Sequence, residues 1–233
     1  MVKKPDWFYD EFKHSGVDYA DPEQVAVYDQ RHQSFRDYKK FTDAVMARLG
    51  LGPDATVIDL GSGTGAFALN AAPYNKMIYA VDVSPAMLAY TRQKAGQVGL
   101  SNLVFCEGGF LTYKPAIPVD AVVSSAALHH LPDMWKWIGL LNVSKMLKPG
   151  GKFYLFDVVF PMMEDYTGCF NGWVDAFAGQ VGREFAAEVE THIRDEFSTF
   201  DWVMEGLLRR AGFRIDNAEY NDQLGATYIC TKA

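Results

Sequence analysis

Cysteine is scarce in this chain of 233 residues. Its three cysteines, Cys106, Cys169 and Cys230, are an odd number, lie far apart, and form neither a CxxC pair nor a Cys/His cluster at ligand spacing. Such a set argues against a disulfide framework and against a structural metal site. We therefore expect reduced thiols, no bound metal and a cytoplasmic location.

Long apolar runs are also missing. No stretch approaches the roughly 18 uninterrupted apolar residues that a membrane helix needs. The first residues carry Asp6, Asp10 and Glu11, where a signal peptide would need an apolar run. The sequence thus predicts neither a membrane span nor an export signal.

Positive charge is in deficit, with 22 Lys and Arg against 29 Asp and Glu and a net charge of −7. An acidic surface does not supply the field that drives nonspecific nucleic-acid binding, so we expect a small-molecule partner and no nucleic acid. Apolar residues make up 49% of the chain, including 16 Phe, 12 Tyr and 5 Trp. This content is enough for the substantial core of one domain spanning residues 1–233.

The chain divides by pattern into four parts. Residues 1–50 read as a helical N-terminal cap that ends at Gly50. In 51–160, short apolar runs alternate with helical stretches; the runs are 56–60, 77–81, 103–105, 121–125 and 153–159, and the helical stretches are 66–72, 85–98 and 133–147. Strands that alternate with helices predict a doubly wound, mostly parallel α/β sheet.

The C-terminal third departs from that alternation. Residues 161–198 lack a strand pattern and are helical at 173–197, which predicts a helical lid inserted into the domain. Ser198 and Asp201 form a capping signal for a last helix at 199–211. Two apolar runs, 213–220 and 227–231, are separated by only six residues, so we expect an antiparallel hairpin within 199–233.

A glycine-rich turn is the strongest local signal. The apolar run 56–60 leads into Gly61-Ser62-Gly63-Thr64-Gly65 and then into a helix. Glycines let a ligand approach the backbone, and a helix N-terminus offers N–H donors to an anionic group. Asp82 ends the next strand and can accept hydrogen bonds from both hydroxyls of a ribose. Together these residues predict a cofactor that contains adenosine.

Four segments then resemble the motifs of class I S-adenosylmethionine-dependent methyltransferases. They stand in family order and at family spacing: DLGSGTG at 59–65, VDVSPAML at 81–88, DAVVSSAALHHLPD at 120–133 and MLKPGGK at 146–152. The resemblance implies a Rossmann-like seven-stranded sheet with an antiparallel strand at its edge, which agrees with the terminal hairpin. It also implies S-adenosylmethionine as the cofactor and a small-molecule methyl acceptor.

The resemblance assigns the cofactor residues one by one. Gly61, Ser62 and Gly63 would approach the methionine part, with Asp59 orienting its ammonium group. Asp82 would bind the ribose, and the other implied contacts are Val83 and Met87 on adenine, Gly108, Gly109 and Phe110 beside it, and Ser125 after the fourth strand. Gly109 is a departure, because relatives commonly carry an acid there that binds the adenine amino group.

The acceptor site is less well specified. His129 and His130 follow the fourth strand and are candidate general bases, although either could be a packed or capping residue. Asp157 near the end of the fifth strand is a third catalytic candidate, with a structural ion pair as its alternative. Candidate substrate contacts are aromatic or basic residues of the N-terminal and 161–198 segments, namely Tyr9, Tyr19, Tyr28, Arg31, Tyr166 and Trp173.

Two other functions remain open at this point. The glycine turn and Asp82 also suit a nicotinamide-dependent oxidoreductase. Gly109 leaves room for a noncatalytic protein that binds the cofactor without transferring its methyl group.

Overall fold

The computed structural model describes residues 5–13, 25, 27, 37–221 and 225–233. Seven helices are defined in these ranges: Tyr38–Leu49 (α1), Ala66–Ala71 (α2), Pro85–Gln97 (α3), Asp133–Met146 (α4), Tyr166–Val181 (α5), Arg183–Asp195 (α6) and Asp201–Arg210 (α7). The strands are Thr56–Leu60 (β1), Met77–Asp82 (β2), Leu103–Glu107 (β3), Val119–Ser125 (β4), Leu147–Phe160 (β5), Thr199–Phe200 (β6), Phe213–Tyr220 (β7) and Gly225–Lys232 (β8).

The strands form one sheet in the order β3-β2-β1-β4-β5-β8-β7, and the short β6 pairs with β5. The first five strands run parallel, whereas β8 is antiparallel to both β5 and β7. This confirms the predicted doubly wound Rossmann-like sheet of seven strands with a C-terminal antiparallel hairpin. The expectation of an antiparallel strand at the edge is wrong, because β8 lies between β5 and β7. The strand order reverses between β1 and β4, and such sheets bind ligands at the carboxyl ends of the strands beside this point.

Helix boundaries follow from local capping. Asp37 precedes α1 and its carboxylate accepts a hydrogen bond from the Lys40 N–H at 2.9 Å, and Gly50 ends the helix at φ +61°. Ser84 caps α3 in the same way, with Pro85 at its first position. Within the helical cap predicted for residues 1–50, positions 14–24, 26 and 28–36 lie outside the described residues.

Two apolar layers cover the sheet. On one face, Leu60, Val122 and Leu155 pack with residues of α4 and α7, including Leu140 and Leu208. On the other face, α1 and α2 pack against β1, β2 and β4. Since both faces are covered, the central strands are continuous apolar runs rather than alternating ones, as the sequence pattern indicated.

The C-terminal third differs from the prediction in two details. The 161–198 segment holds two helices, α5 and α6, which meet at Gly182 with φ +95°. The capping signal assigned to Ser198 is wrong, because α7 begins at Asp201 after Phe200, with no side-chain cap. Thr199 and Phe200 instead extend along β5, and the Ser198 hydroxyl lies 2.7 Å from His192 Nε2.

Candidate active site

The glycine turn between β1 and α2 is closely packed from both sides. Gly61 has φ +75°, and a Cβ there would lie 2.4 Å from Ala127 Cβ. Gly65 has φ +78°, and a Cβ there would lie 2.3 Å from Thr91 Cγ2. Glycine is therefore required by conformation and by space, because the loop after β4 and helix α3 approach the turn directly.

The N–H groups of this turn are used differently from the sequence-based expectation. Gly61 and Ser62 donate to the Val81 carbonyl at 2.8 and 3.0 Å, and Gly63 donates to Asp82 at 2.8 Å. These three N–H groups thus hold the turn against β2 and are not available to bind an anionic group of a ligand. The buried Ser62 hydroxyl, by contrast, has no hydrogen-bond partner in the described part of the chain. It lines the cavity and is a polar atom that a ligand can satisfy.

Asp82 lies at the end of β2 and is 8% exposed. Its Oδ2 accepts from Gly63 N–H and its Oδ1 accepts from Ser84 N–H, both at 2.8 Å. A carboxylate can accept about four hydrogen bonds, so this orientation is compatible with a ribose diol. The backbone bonds fix the carboxylate at the cavity wall.

Asp59 is the second buried acid of the cofactor region. It is 3% exposed, and its carboxylate accepts a hydrogen bond from the Ala68 N–H at 3.1 Å. The pKa of Asp59 is raised to about 7, chiefly because the carboxyl is buried; the hydrogen bond from Ala68 lowers this pKa, and the negative charge of Asp82 raises it. The protonation state of Asp59 therefore changes close to neutral pH.

One cavity of about 760 Å³ joins these groups. All the residues that the sequence proposed for the cofactor line it: Asp59, Gly61, Ser62, Gly63, Asp82, Val83, Met87, Gly108, Gly109, Phe110 and Ser125. Its volume is within the range of small-ligand pockets. The glycine turn, the Ser62 hydroxyl and the two acids fit S-adenosylmethionine.

A histidine cluster lines the same cavity close to the glycine turn. His129 and His130 reach the cavity, two and three residues after the Ala127 that touches Gly61. Asp157 is fully buried and does not line the cavity. Its Oδ1 lies 2.5 Å from His129 Nδ1, and its Oδ2 accepts from His129 N–H at 3.1 Å. Asp157 can therefore affect a bound molecule through the cavity-lining residues that it holds, His129 and Val158.

Two further members of the cluster come from the end of α6 and were missed by the sequence analysis. Glu196 Oε2 lies 3.3 Å from His129 Nε2 and also pairs with His192 Nδ1. His192 and Glu196 stand at i and i+4, a spacing that places two side chains on one helical face. That spacing is the local signal that could have indicated them.

The charges of the cluster shift the pKa values of its members. Burial lowers the pKa of His129, but Asp157 and Glu196 outweigh it and the pKa rises above its usual value. Burial raises the pKa of Asp157, but His129 outweighs it and the pKa falls. Burial and the neighbouring His129 lower the pKa of His130 to about 4, so this imidazole is neutral at neutral pH.

The donor atoms of His129, His130 and Glu196 all lie within 4.8 Å of one another. Imidazole nitrogens and a carboxylate are ordinary ligands of zinc and related divalent cations, so this group could hold one. The absence of a metal was predicted from the lack of ligands at short spacing, and Glu196 is remote from the histidine pair in sequence.

The proposed substrate contacts have different positions. Trp173 of α5 lines the cavity, and its buried indole N–H has no hydrogen-bond partner among the residues described. Tyr9 does not line the cavity; its hydroxyl donates to the His130 carbonyl at 3.2 Å. Tyr166 is 64% exposed and also lies outside the cavity lining. Tyr19, Tyr28 and Arg31 lie outside the described residues.

A family model described as a methyltransferase domain matches residues 51–220, which include every strand of the parallel core and the cluster around His129. The chain belongs to the methyltransferase family. Together with the motifs and the cavity, this makes it a class I S-adenosylmethionine-dependent methyltransferase and excludes the nicotinamide alternative.

The methyltransferase has relatives of similar length. It is 28% identical over 207 residues to the uncharacterized methyltransferase YrrT of Bacillus subtilis, covering 85% of this chain and 90% of the relative. It is also 28% identical over 199 residues to an uncharacterized methyltransferase of Geobacillus kaustophilus, covering 84% and 85%.

Solved structures share the methyltransferase fold at lower identity. A S-adenosylmethionine-dependent methyltransferase from Clostridium acetobutylicum superposes with a TM-score of 0.67 at 16% identity, over 90% of this chain and 97% of the other. Magnesium protoporphyrin IX methyltransferase from Synechocystis, solved with bound S-adenosylhomocysteine, gives 0.62 at 16% identity, over 96% and 91%. Within the described ranges, no helix is long and apolar enough to cross a membrane.

Proposed function

We propose that this enzyme methylates a small molecule at an atom that loses a proton, and that His129 accepts this proton. The observation that carries the proposal is that one cavity of about 760 Å³ contains both the cofactor residues and the His129 cluster. A cavity of this size, shared with S-adenosylmethionine, leaves room only for a small acceptor. Helices α5 and α6 cover it with Trp173, Phe177 and Val189.

S-Adenosylmethionine, when bound, supplies an electrophilic methyl group on a sulfonium. The chain holds the reactants in line and apart from water, and such positioning can account for roughly 7–11 kcal/mol of barrier reduction. The Trp173 indole N–H suits an acceptor molecule that presents an oxygen or an unprotonated nitrogen.

His129 is arranged as a proton acceptor. The Asp157 carboxylate holds Nδ1 as the protonated nitrogen, which directs Nε2 toward Glu196 and the cavity. Asp59, Ser62 and Asp82 would hold S-adenosylmethionine in the same cavity as His129, and the positive charge of the cofactor would favour loss of a second proton from His129 by like-charge repulsion. In this role, His129 Nε2 would accept the proton that the acceptor atom loses when it is methylated. His130, which stays neutral, is available to hydrogen-bond the acceptor.

A metabolite extract incubated with methyl-labelled cofactor tests the acceptor class, because a labelled small product supports the proposal. A label that enters only macromolecules would refute it.

Calorimetry with S-adenosylhomocysteine tests the cofactor end, where Asp82→Ala should largely abolish binding. His129→Gln should retain cofactor binding and lower turnover by about 10²–10⁴-fold. His130→Gln should lower turnover by a smaller factor. Equal turnover of His129→Gln and wild type would reject the base assignment.

The same cluster supports a second candidate mechanism, in which a divalent cation on His129, His130 and Glu196 holds the acceptor. Dialysis against a chelator separates the two. Full turnover after chelation excludes the cation, whereas lost turnover that zinc restores would replace the base assignment by metal assistance.

A further inference from the structure

The N-terminal segment 5–13 is docked beside the cofactor cavity, which its residues Glu11 and Lys13 line. The Phe8 ring packs edge-on against Trp135 with centroids 4.9 Å apart, and Tyr9 lies 5.9 Å from the same indole. Two residues later, Glu11 Oε2 accepts a hydrogen bond from the Leu111 N–H at 2.9 Å. Segment 5–13 therefore reaches the loop that follows β3, about 100 residues away in sequence.

Gly109 is the reason that the Glu11 carboxylate fits at this loop. A Cβ on residue 109 would lie 2.6 Å from Glu11 Oε2 and 2.9 Å from Glu11 Cδ. Any side chain at this position would compete with the carboxylate for the same space. The absence of an acidic side chain at residue 109 therefore makes room for the carboxylate of Glu11.

The order of the loops along the sheet edge also indicates which part of the cofactor lies nearest to Glu11. The turn at Gly61–Gly63 follows β1, Asp82 ends β2, and the Gly108–Phe110 loop follows β3, so the three lie side by side along the sheet edge. Gly108 N–H donates to the Asp82 carbonyl at 3.0 Å, which places the loop directly beside the ribose site. A nucleoside with its ribose at Asp82 and its methionine at the turn therefore places its base at this loop.

We propose that Glu11 accepts a hydrogen bond from the 6-amino group of adenine and so selects an adenine cofactor. Glu11 lines the same cavity as Val83, Met87 and Phe110, which offer apolar contacts to a planar base. An adenine amino group only donates hydrogen bonds, and a carboxylate only accepts them. The Leu111 N–H orients the Glu11 carboxylate, and Gly109, which has no side chain, leaves space for that carboxylate. This inference rests on cofactor binding at the cavity and is independent of the acceptor.

The test compares S-adenosylhomocysteine with its inosine analogue, in which a carbonyl oxygen replaces the amino group. Calorimetry on the full chain measures both dissociation constants without requiring turnover. Wild type should bind the adenine compound more tightly. Glu11→Gln keeps an oxygen for the Leu111 N–H but offers an amide that can donate to the inosine carbonyl. Its adenine affinity should fall about 10- to 150-fold, and its preference for adenine should largely disappear.

Two further variants separate recognition from simple docking of the segment. Asp10→Asn changes the neighbouring exposed carboxylate and should leave both affinities unchanged. In a Glu11→Ala background, Gly109→Asp supplies a carboxylate from the loop itself. This double variant should regain the preference for adenine, whereas Gly109→Ala in the same background should not. Both double variants add the same Cβ near Val83, so their difference measures the carboxylate alone.

The outcomes divide clearly. Loss of adenine preference in Glu11→Gln, with recovery in Glu11→Ala/Gly109→Asp, supports the proposal. Equal weakening of both ligands in Glu11→Gln would show that Glu11 only holds segment 5–13 in place and would overturn it. Unchanged binding in Glu11→Gln would overturn it as well. Neither overturning result affects the proposed methyl transfer, which the labelled-cofactor experiment tests separately.

Discussion

Asp157→Asn is the most informative single substitution, because the carboxylate serves three donors at once. Oδ1 meets His129 Nδ1 at 2.5 Å and Val158 N–H at 2.8 Å, and Oδ2 meets His129 N–H at 3.1 Å. An asparagine has the same shape but only one oxygen. Whichever way its amide is turned, an NH₂ group faces at least one buried backbone N–H.

The expected cost follows from these contacts. An unsatisfied buried donor costs about 1–3 kcal/mol, and breaking a buried ion pair by removing one partner costs about 3–5 kcal/mol in all. For a domain of this size, 1 kcal/mol shifts the Tm by about 2–4 °C. We therefore expect Asp157→Asn to lower the Tm by about 6–20 °C, measured by circular dichroism.

The pH dependence of this loss has a definite sign. The lowered pKa of Asp157 contributes stability that is present above the unfolded value of about 3.9 and is lost as the pH falls. The raised pKa of His129 contributes stability that is present below about 6.5 and is lost as the pH rises through its folded value. The difference between wild type and variant should thus be largest at about pH 5–6.

Asp216→Asn is the matched control for this experiment. Asp216 also accepts hydrogen bonds from several groups, Lys152, Arg214 and Thr231, but its side chain is 23% exposed. Exposed ion pairs contribute about 1 kcal/mol or less, so its Tm should change by only a few degrees. A Tm for Asp157→Asn within 2 °C of wild type would refute the reasoning.

Three further predictions concern the rest of the cavity. Asp59 has a pKa of about 7 and is assigned to the cofactor ammonium group, so its carboxylate is mostly protonated at pH 6 and mostly ionised at pH 8. Calorimetry should therefore show S-adenosylhomocysteine binding about tenfold more weakly at pH 6 than at pH 8. Asp59→Asn should remove this pH dependence. Gly61→Ala would place its methyl group 2.4 Å from Ala127 Cβ and should abolish cofactor binding, whereas Gly52→Ala meets nothing within 4 Å and should leave it intact. Trp173→Phe keeps an aromatic ring, although a smaller one, and loses the indole N–H, so it should raise the KM for the acceptor about 5- to 10-fold with cofactor affinity unchanged. An unchanged KM would remove Trp173 from the acceptor site.

Much of the fold could be read from neighbouring residues. The glycine turn, the acid at the end of β2, and the Ser84-Pro85 helix start all lie within short segments, so their geometry depends on local backbone preferences. The hairpin of β7 and β8 followed from the short connection between them. The Ser198 cap failed because Thr199 and Phe200 gain backbone pairing with β5, which local preference does not reveal.

The acceptor site depended on contacts that no local pattern shows. His129 was a candidate with several possible roles until Asp157 and Glu196 were found on either side of its ring. Asp157 was a catalytic candidate with a structural ion pair as its alternative, and the structure shows the ion pair, because the fully buried carboxylate contacts His129. Tyr9 was expected to contact substrate, but it holds the His130 backbone.

The sequence by itself determined the family, the cofactor and the alternation of strands and helices, because these depend on short motifs and local patterns whose spacing along the chain survives folding unchanged. Only the tertiary structure decided how the site is completed. Glu11 meets the space at Gly109, and Glu196 meets His129, through pairs of residues that are remote in sequence. The physical reason is that packing, rather than local backbone preference, chooses which distant side chains share a buried space.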